Sequence, residues 1–65
     1  MVNIGDTVYT VRGDTNTIDT WKLEAQILTP EGEKAILKRG TLTCILPSNC
    51  VFETREEALE IANRR

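Results

Sequence analysis

Apolar and polar positions alternate along most of this chain, and the period changes once, close to its end. Residues 7 to 11, Thr-Val-Tyr-Thr-Val, are β-branched and aromatic and follow the turn signal Gly5-Asp6. They predict a first strand over residues 7 to 12. Residues 12 to 19 are rich in Gly, Asp, Asn and Thr and predict a loop. From residue 20 to 28 the alternation is regular. Trp21, Leu23, Ala25 and Ile27 share one face of a second strand, and Thr20, Lys22, Glu24 and Gln26 share the other. Further strands are predicted over residues 34 to 39 and 41 to 46, with a last short one over 50 to 52. The period then becomes helical: Ala58, Leu59, Ile61 and Ala62 form the apolar stripe of a helix over residues 55 to 63.

The turns specify which residues should face one another. In Thr29-Pro30-Glu31-Gly32-Glu33, Pro30 presets the first corner and Gly32 can adopt the left-handed conformation that closes a three-residue hairpin loop. In that register Ile27 faces Ala35, Ala25 faces Leu37, and Glu24 meets Lys38 as an opposite charge. A two-residue loop at Arg39 and Gly40 then puts Leu37 opposite Leu42 and Ala35 opposite Cys44. Both turns place Ala25, Ile27, Ala35, Leu37, Leu42 and Cys44 on one side, and a one-residue slip would undo the agreement.

The helix carries its own start signal. Thr54-Arg55-Glu56-Glu57 is a capping box, in which the Thr54 hydroxyl accepts from the Glu57 backbone N–H and Glu57 reaches back to that of Thr54. Glu56 and Glu57 lie near the positive end of the helix dipole and Arg64 and Arg65 near its negative end. The expectation is a mainly β, α+β domain over residues 1 to 65: a small, strongly bent antiparallel barrel of four to five strands with one C-terminal helix.

Composition narrows the function more than it identifies it. Sixty-five residues with 40% apolar and 28% charged side chains fit one small globular domain, with little room for a core and a deep catalytic cleft together. The net charge of −2 is no advantage for binding phosphates, which rests largely on Lys and Arg. There is no histidine, so the commonest general base and the commonest metal ligand are both missing. The expectations are therefore no enzyme, no cofactor and no metal. No apolar run is long enough to span a membrane, and the start, Met-Val-Asn-Ile-Gly-Asp, lacks the pattern of a signal peptide. A cytoplasmic location is expected.

Two resemblances bear on this reading. The Gly5-Asp6-Thr7-Val8-Tyr9 front, the meander and the Phe52-Glu53-Thr54-Arg55-Glu56-Glu57-Ala58 end together resemble small SH3-like barrel proteins of bacteria and bacteriophages. The resemblance implies the barrel fold, and for function at most a phage-type accessory or inhibitor protein. The front, Gly5 to Gly13, also resembles the start of a KOW motif, which implies an RNA- or DNA-binding barrel. The usual continuation is replaced here by Asp14-Thr15-Asn16-Thr17-Ile18-Asp19-Thr20-Trp21, with no glycine before Gly32.

Individual candidates are then weighed against plainer roles. Arg12-Gly13-Asp14 matches an adhesion tripeptide but reads as a strand end and a turn. Cys44 and Cys50 are expected to be free thiols, Cys44 as a small core hydrophobe. Trp21 shares a face with Leu23 and is assigned to the core. Glu53, Glu56, Glu57 and Glu60 read as a solvated helix face. The residues that lean toward binding are Lys22, Lys34 and Lys38 with Ile36 and Ile45, on the outer face of the meander, and Tyr9 on the same side of the first strand. An apolar patch with a basic rim there predicts docking on a larger protein, provided the helix leaves it open. The alternative, nucleic-acid binding, would use Arg12, Lys22, Lys34, Lys38 and Arg39 with Tyr9 as a stacking platform. A homo-oligomer through an open strand edge is a further expectation.

Overall fold

The computed structural model describes residues 2 to 64; Arg65, expected at the helix end, lies outside the described residues. Four strands form an antiparallel sheet in the order of the chain: β1 (Thr7–Arg12), β2 (Thr17–Thr29), β3 (Gly32–Arg39) and β4 (Leu42–Pro47). A 3-10 turn at Ser48–Cys50 and one helix, α1 (Arg55–Asn63), follow. This is a small α+β protein. Among the described residues the ladder is open, with β1 and β4 at its two ends.

The fifth strand expected over residues 50 to 52 is not present. Pro47 ends β4 and the chain tightens into the 3-10 turn, closed by the Val51 N–H on the Ser48 carbonyl at 3.2 Å. Only Phe52 then returns to the sheet, as a single bridge to Tyr9. Their N–H and carbonyl groups exchange two hydrogen bonds, of 2.9 and 2.8 Å, on the side of β1 away from β2.

β2 is thirteen residues long and belongs to both hairpins. Residues 17 to 22 pair with β1 and residues 22 to 29 with β3, so Lys22 has a partner on each side. Between Leu23 and Ala25 the register to β3 shifts by a β-bulge. A bulge inserts one unpaired residue and reverses the faces beyond it. This corrects the second strand. Trp21 and Leu23 face the core, but Ala25 now shares the opposite face with Ile36, and Ile27 pairs with Lys34. Gln26, not Ile27, is opposite Ala35, and Lys38 is opposite Lys22, not Glu24.

The turns explain the rest of the register. Thr29 pairs with Gly32, so the loop is Pro30 and Glu31 alone. Gly32 does take a positive φ, +124°, and the Thr29 hydroxyl donates to its carbonyl at 2.7 Å. At the next turn Arg39 pairs with Leu42, so the loop is Gly40 and Thr41. Gly40 has φ +61°, and a two-residue hairpin with glycine first meets the need for a positive φ at that corner. The partners therefore move by two residues, to Leu37 with Cys44 and Ala35 with Leu46, and the faces of β4 are unchanged.

The core sits on the side where Val8, Leu23, Ala35 and Leu37 meet, all essentially inaccessible. Val2, Trp21, Cys44, Leu46 and Val51 pack around them. Leu42, expected among them, lies beyond the core at the turn and is 56% exposed. The helix packs on β1 and β2. Ala58 and Ala62 are its buried residues and Ile61 is half-buried, whereas Leu59, expected in the stripe, faces solvent. Thr54 caps the helix as expected, accepting from the Glu57 N–H at 3.2 Å. The Glu57 carboxylate accepts from the Thr54 hydroxyl, 3.4 Å away.

Candidate docking face

Side chains of directly paired residues lie on the same face of a sheet, so the ladder shows how the outer surface is laid out. Its first row is Val11 and Ile18, and the second is Phe52, Tyr9 and Thr20. Next come Thr7, Lys22, Lys38 and Thr43, then Ala25, Ile36 and Ile45, then Ile27, Lys34 and Pro47. A basic row thus lies beside an aliphatic one. Ile45 is 56% exposed, Ile27 is 39% exposed, and Ile36 between them is half-buried.

The basic row arises from the bulge. By moving Glu24 out of register it leaves Lys22 and Lys38 directly opposite one another. Like charges so placed repel and destabilise a sheet. Among the described residues neither amine has a carboxylate within ion-pair distance, whereas Lys34 is 3.6 Å from Glu31. Two of the three expected lysines are therefore unneutralised, and the third is satisfied locally.

Tyr9 lies on the far side of the lysine row from the isoleucines. It is half-buried, between Thr20 and Phe52, at the β1 edge. The helix covers β1 and β2, so the outer surface divides in two. Tyr9, Val11 and Phe52 lie toward α1, with Ile61 of the helix sharing a small cavity with Val11 and Phe52. Ile36, Ile45, Lys22 and Lys38 lie toward β4. The structure groups Lys22, Lys38, Ile36 and Ile45, places Lys34 at their margin, and puts Tyr9 in the row next to Lys22, on the side away from Ile36 and Ile45.

No family model matches the chain, and no curated protein or solved structure is significantly similar to it.

The opposite face ends in a charged cluster that sequence reasoning missed. Arg12 and Arg39 both reach the Asp19 carboxylate, Arg12 at 3.2 Å and Arg39 at 3.3 Å. The Arg39 guanidinium also lies 4.4 Å above the Trp21 ring, a cation–π distance. Trp21 in turn donates through Nε1 to the buried Thr10 hydroxyl at 3.0 Å. Only the alternation of β1 and β3 hinted at this cluster, since Arg12 and Arg39 fall on the side opposite Val11 and Lys38. The five cations of the nucleic-acid set are thus split between two faces, and its two arginines share one acid. Arg12 is a strand residue bound to Asp19, and Gly13 and Asp14 belong to a turn closed by the Asn16 N–H on the Arg12 carbonyl at 2.7 Å. The adhesion tripeptide is accordingly part of a hairpin.

Cys44 is half-buried against the core and Cys50 is exposed; the two are not bonded. On the helix, Glu60 pairs with Arg64 at 2.6 Å. Among the described residues no helix is long and apolar enough to cross a membrane.

Proposed function

We propose that this chain is a non-catalytic binding module of the SH3-like barrel type, which docks on a larger protein through the β3–β4 half of its outer face. One observation carries the reading: exposed Ile45 lies beside half-buried Ile36, in the row next to the Lys22–Lys38 pair, and neither lysine has an acidic partner among the described residues. An aliphatic centre with a charged margin is the usual build of a protein-docking surface. The barrel reading draws support from the long β2 shared by two hairpins and from Phe52 reaching β1. The sequence resemblance favours a phage-type accessory or inhibitor role in the cytoplasm. The nucleic-acid reading keeps Lys22 and Lys38 but has Arg12 and Arg39 engaged with Asp19, so docking on protein is the better supported of the two.

The test is capture of the partner from the source cell, followed by its identification and by comparison of variants. Ile45→Asp changes an exposed position and should leave thermal unfolding nearly unchanged while capture is lost. Lys38→Glu should lose capture as well. A partner retained by both folded variants would show that docking occurs elsewhere.

A further inference from the structure

The face just described is continuous with an unpaired strand edge. β4 ends the sheet, and no described strand lies along its outer side. Edges of this kind are normally protected by charge, by a bulge or by proline. β4 has none of the first two: residues 40 to 52 contain no charged side chain, and β4 pairs with β3 in an unbroken register. Its one proline, Pro47, is at its very end. Leu42 and Ile45, on opposite faces of this strand, are each 56% exposed.

We infer that the β4 edge binds an extended segment of a partner protein, by strand addition, and that this segment carries an acidic and an aliphatic side chain two residues apart, on one face. The inference rests on the docking face proposed above and specifies its ligand. Strand addition obtains affinity from main-chain hydrogen bonds and specificity from alternate side chains. An added strand would extend the rows of the outer face by one position each. The residue opposite Ile45 continues the row Ala25, Ile36, Ile45 and is best aliphatic. The residue opposite Thr43 continues the row Thr7, Lys22, Lys38, Thr43. Adjacent strands lie about 4.8 Å apart, so this position is about 10 Å from the Lys38 backbone. Thr43 between them is short, and a lysine and a glutamate side chain can meet across it. One carboxylate there would relieve the Lys22–Lys38 repulsion, which nothing within the described chain does.

A nucleic-acid strand fits this surface less well, because toward β4 the lysines are bordered by Ala25, Ile36 and Ile45, and the aromatic row on their other side, Tyr9 and Phe52, is half-buried. A second copy of this chain, pairing β4 with β4, would supply no acid to the lysines, since β4 has none.

The probes are two capped synthetic nonapeptides added to the isotope-labelled full chain: a Val–Glu peptide, Thr-Glu-Thr-Val-Thr-Glu-Thr-Val-Thr, which presents Glu and Val in turn on one face, and a Val–Lys peptide with Lys in place of each Glu. The expected result is binding of the Val–Glu peptide with amide shifts concentrated in residues 42 to 46, weakened by added salt. The double variant Lys22→Glu/Lys38→Glu should bind it about tenfold or more weakly and should bind the Val–Lys peptide instead. Lys22→Gln/Lys38→Gln, which keeps the size of the side chains without new charge, should bind both peptides weakly. Shifts confined to the helix or to the Arg12–Arg39 end would overturn the inference. So would equal binding of the two peptides, tighter binding of an oligothymidylate at the same lysines, or a β4-mediated dimer in sedimentation. If the peptide fails while partner capture remains sensitive to Ile45→Asp, strand addition is wrong and the docking face stands. If capture is insensitive to Ile45→Asp, the face itself is wrong.

Discussion

Replacing Lys38 with Glu should make this protein more stable while depriving it of its partner. In the native chain two lysines are directly opposite across β2 and β3. A cross-strand like-charge pair costs a few tenths of a kcal/mol up to about 1 kcal/mol, and an opposite-charge pair contributes about as much. Lys38→Glu removes the first and creates the second, so the gain is about 0.5–1.5 kcal/mol at low ionic strength. For a domain of this size, 1 kcal/mol corresponds to roughly 4–8 °C in the unfolding midpoint. The assay is thermal unfolding by circular dichroism at about 10 mM and about 1 M salt, where the Debye length falls from about 30 to about 3 Å. The gain should largely disappear at high salt. Lys38→Gln, which only removes repulsion, should give about half of it. The change also moves the net charge from −2 to −4. Lys34→Glu makes the same overall change but breaks the contact with Glu31, so it should be neutral or slightly destabilising. If Lys38→Glu is no more stable than Lys34→Glu, and salt makes no difference, the two amines do not face each other and the bulge at residue 24 is misplaced. A gain in stability with a loss of binding is the pattern expected where a surface is kept unfavourable for function.

Three other substitutions test the fold. Leu37→Ala empties a fully buried site and should cost about 2–5 kcal/mol, a large share of what a chain this short has; a cooperative melt near the native midpoint would contradict the placement of the core. Thr54→Ala should cost about 1 kcal/mol by removing the helix cap, with Thr54→Ser close to native in urea unfolding. Gly32→Ala should destabilise by about 1 kcal/mol or more through its positive φ alone, because no atom lies within 4 Å of the added Cβ. A midpoint unchanged in urea would mean that the turn is not formed as described.

Much of the architecture is legible in the sequence because it is local. Gly40, Pro30 with Gly32, and the capping box at Thr54 each act over a few residues, and each marks a turn or a start where one is found. The faces of β3 and β4 follow from alternation, even though the partners are displaced by two residues. That displacement has a reason available in the sequence: a two-residue turn prefers its glycine first, so Gly40 opens the loop and Arg39 stays in the strand. The bulge was not legible. Leu23-Glu24-Ala25 contains no glycine and no break in alternation, and the shift depends on how β2 serves two partners at once. The two-residue turn at Pro30 and Glu31 puts Ala25 and Ile27 on the outer face, and the bulge, by a second one-residue shift, keeps Leu23 in the core and sets Lys22 rather than Glu24 opposite Lys38. The most informative feature of the candidate site therefore came from the one element that the residue pattern hides. Tyr9 was assigned to the right face, but its distance from Ile45 depends on strand order and on Phe52, neither of which alternation reveals.

The bridge between Tyr9 and Phe52 has a bearing on how the molecule is made. It joins the first strand to a residue that leaves the ribosome only when most of the chain has already emerged. Until then the outer side of β1 has no backbone partner, and the segment leading into α1 has no anchor. The two hairpins can form as they are synthesised, but the far side of β1 must wait, so a nascent chain stalled before residue 52 should be an open meander that proteases cut readily near its front.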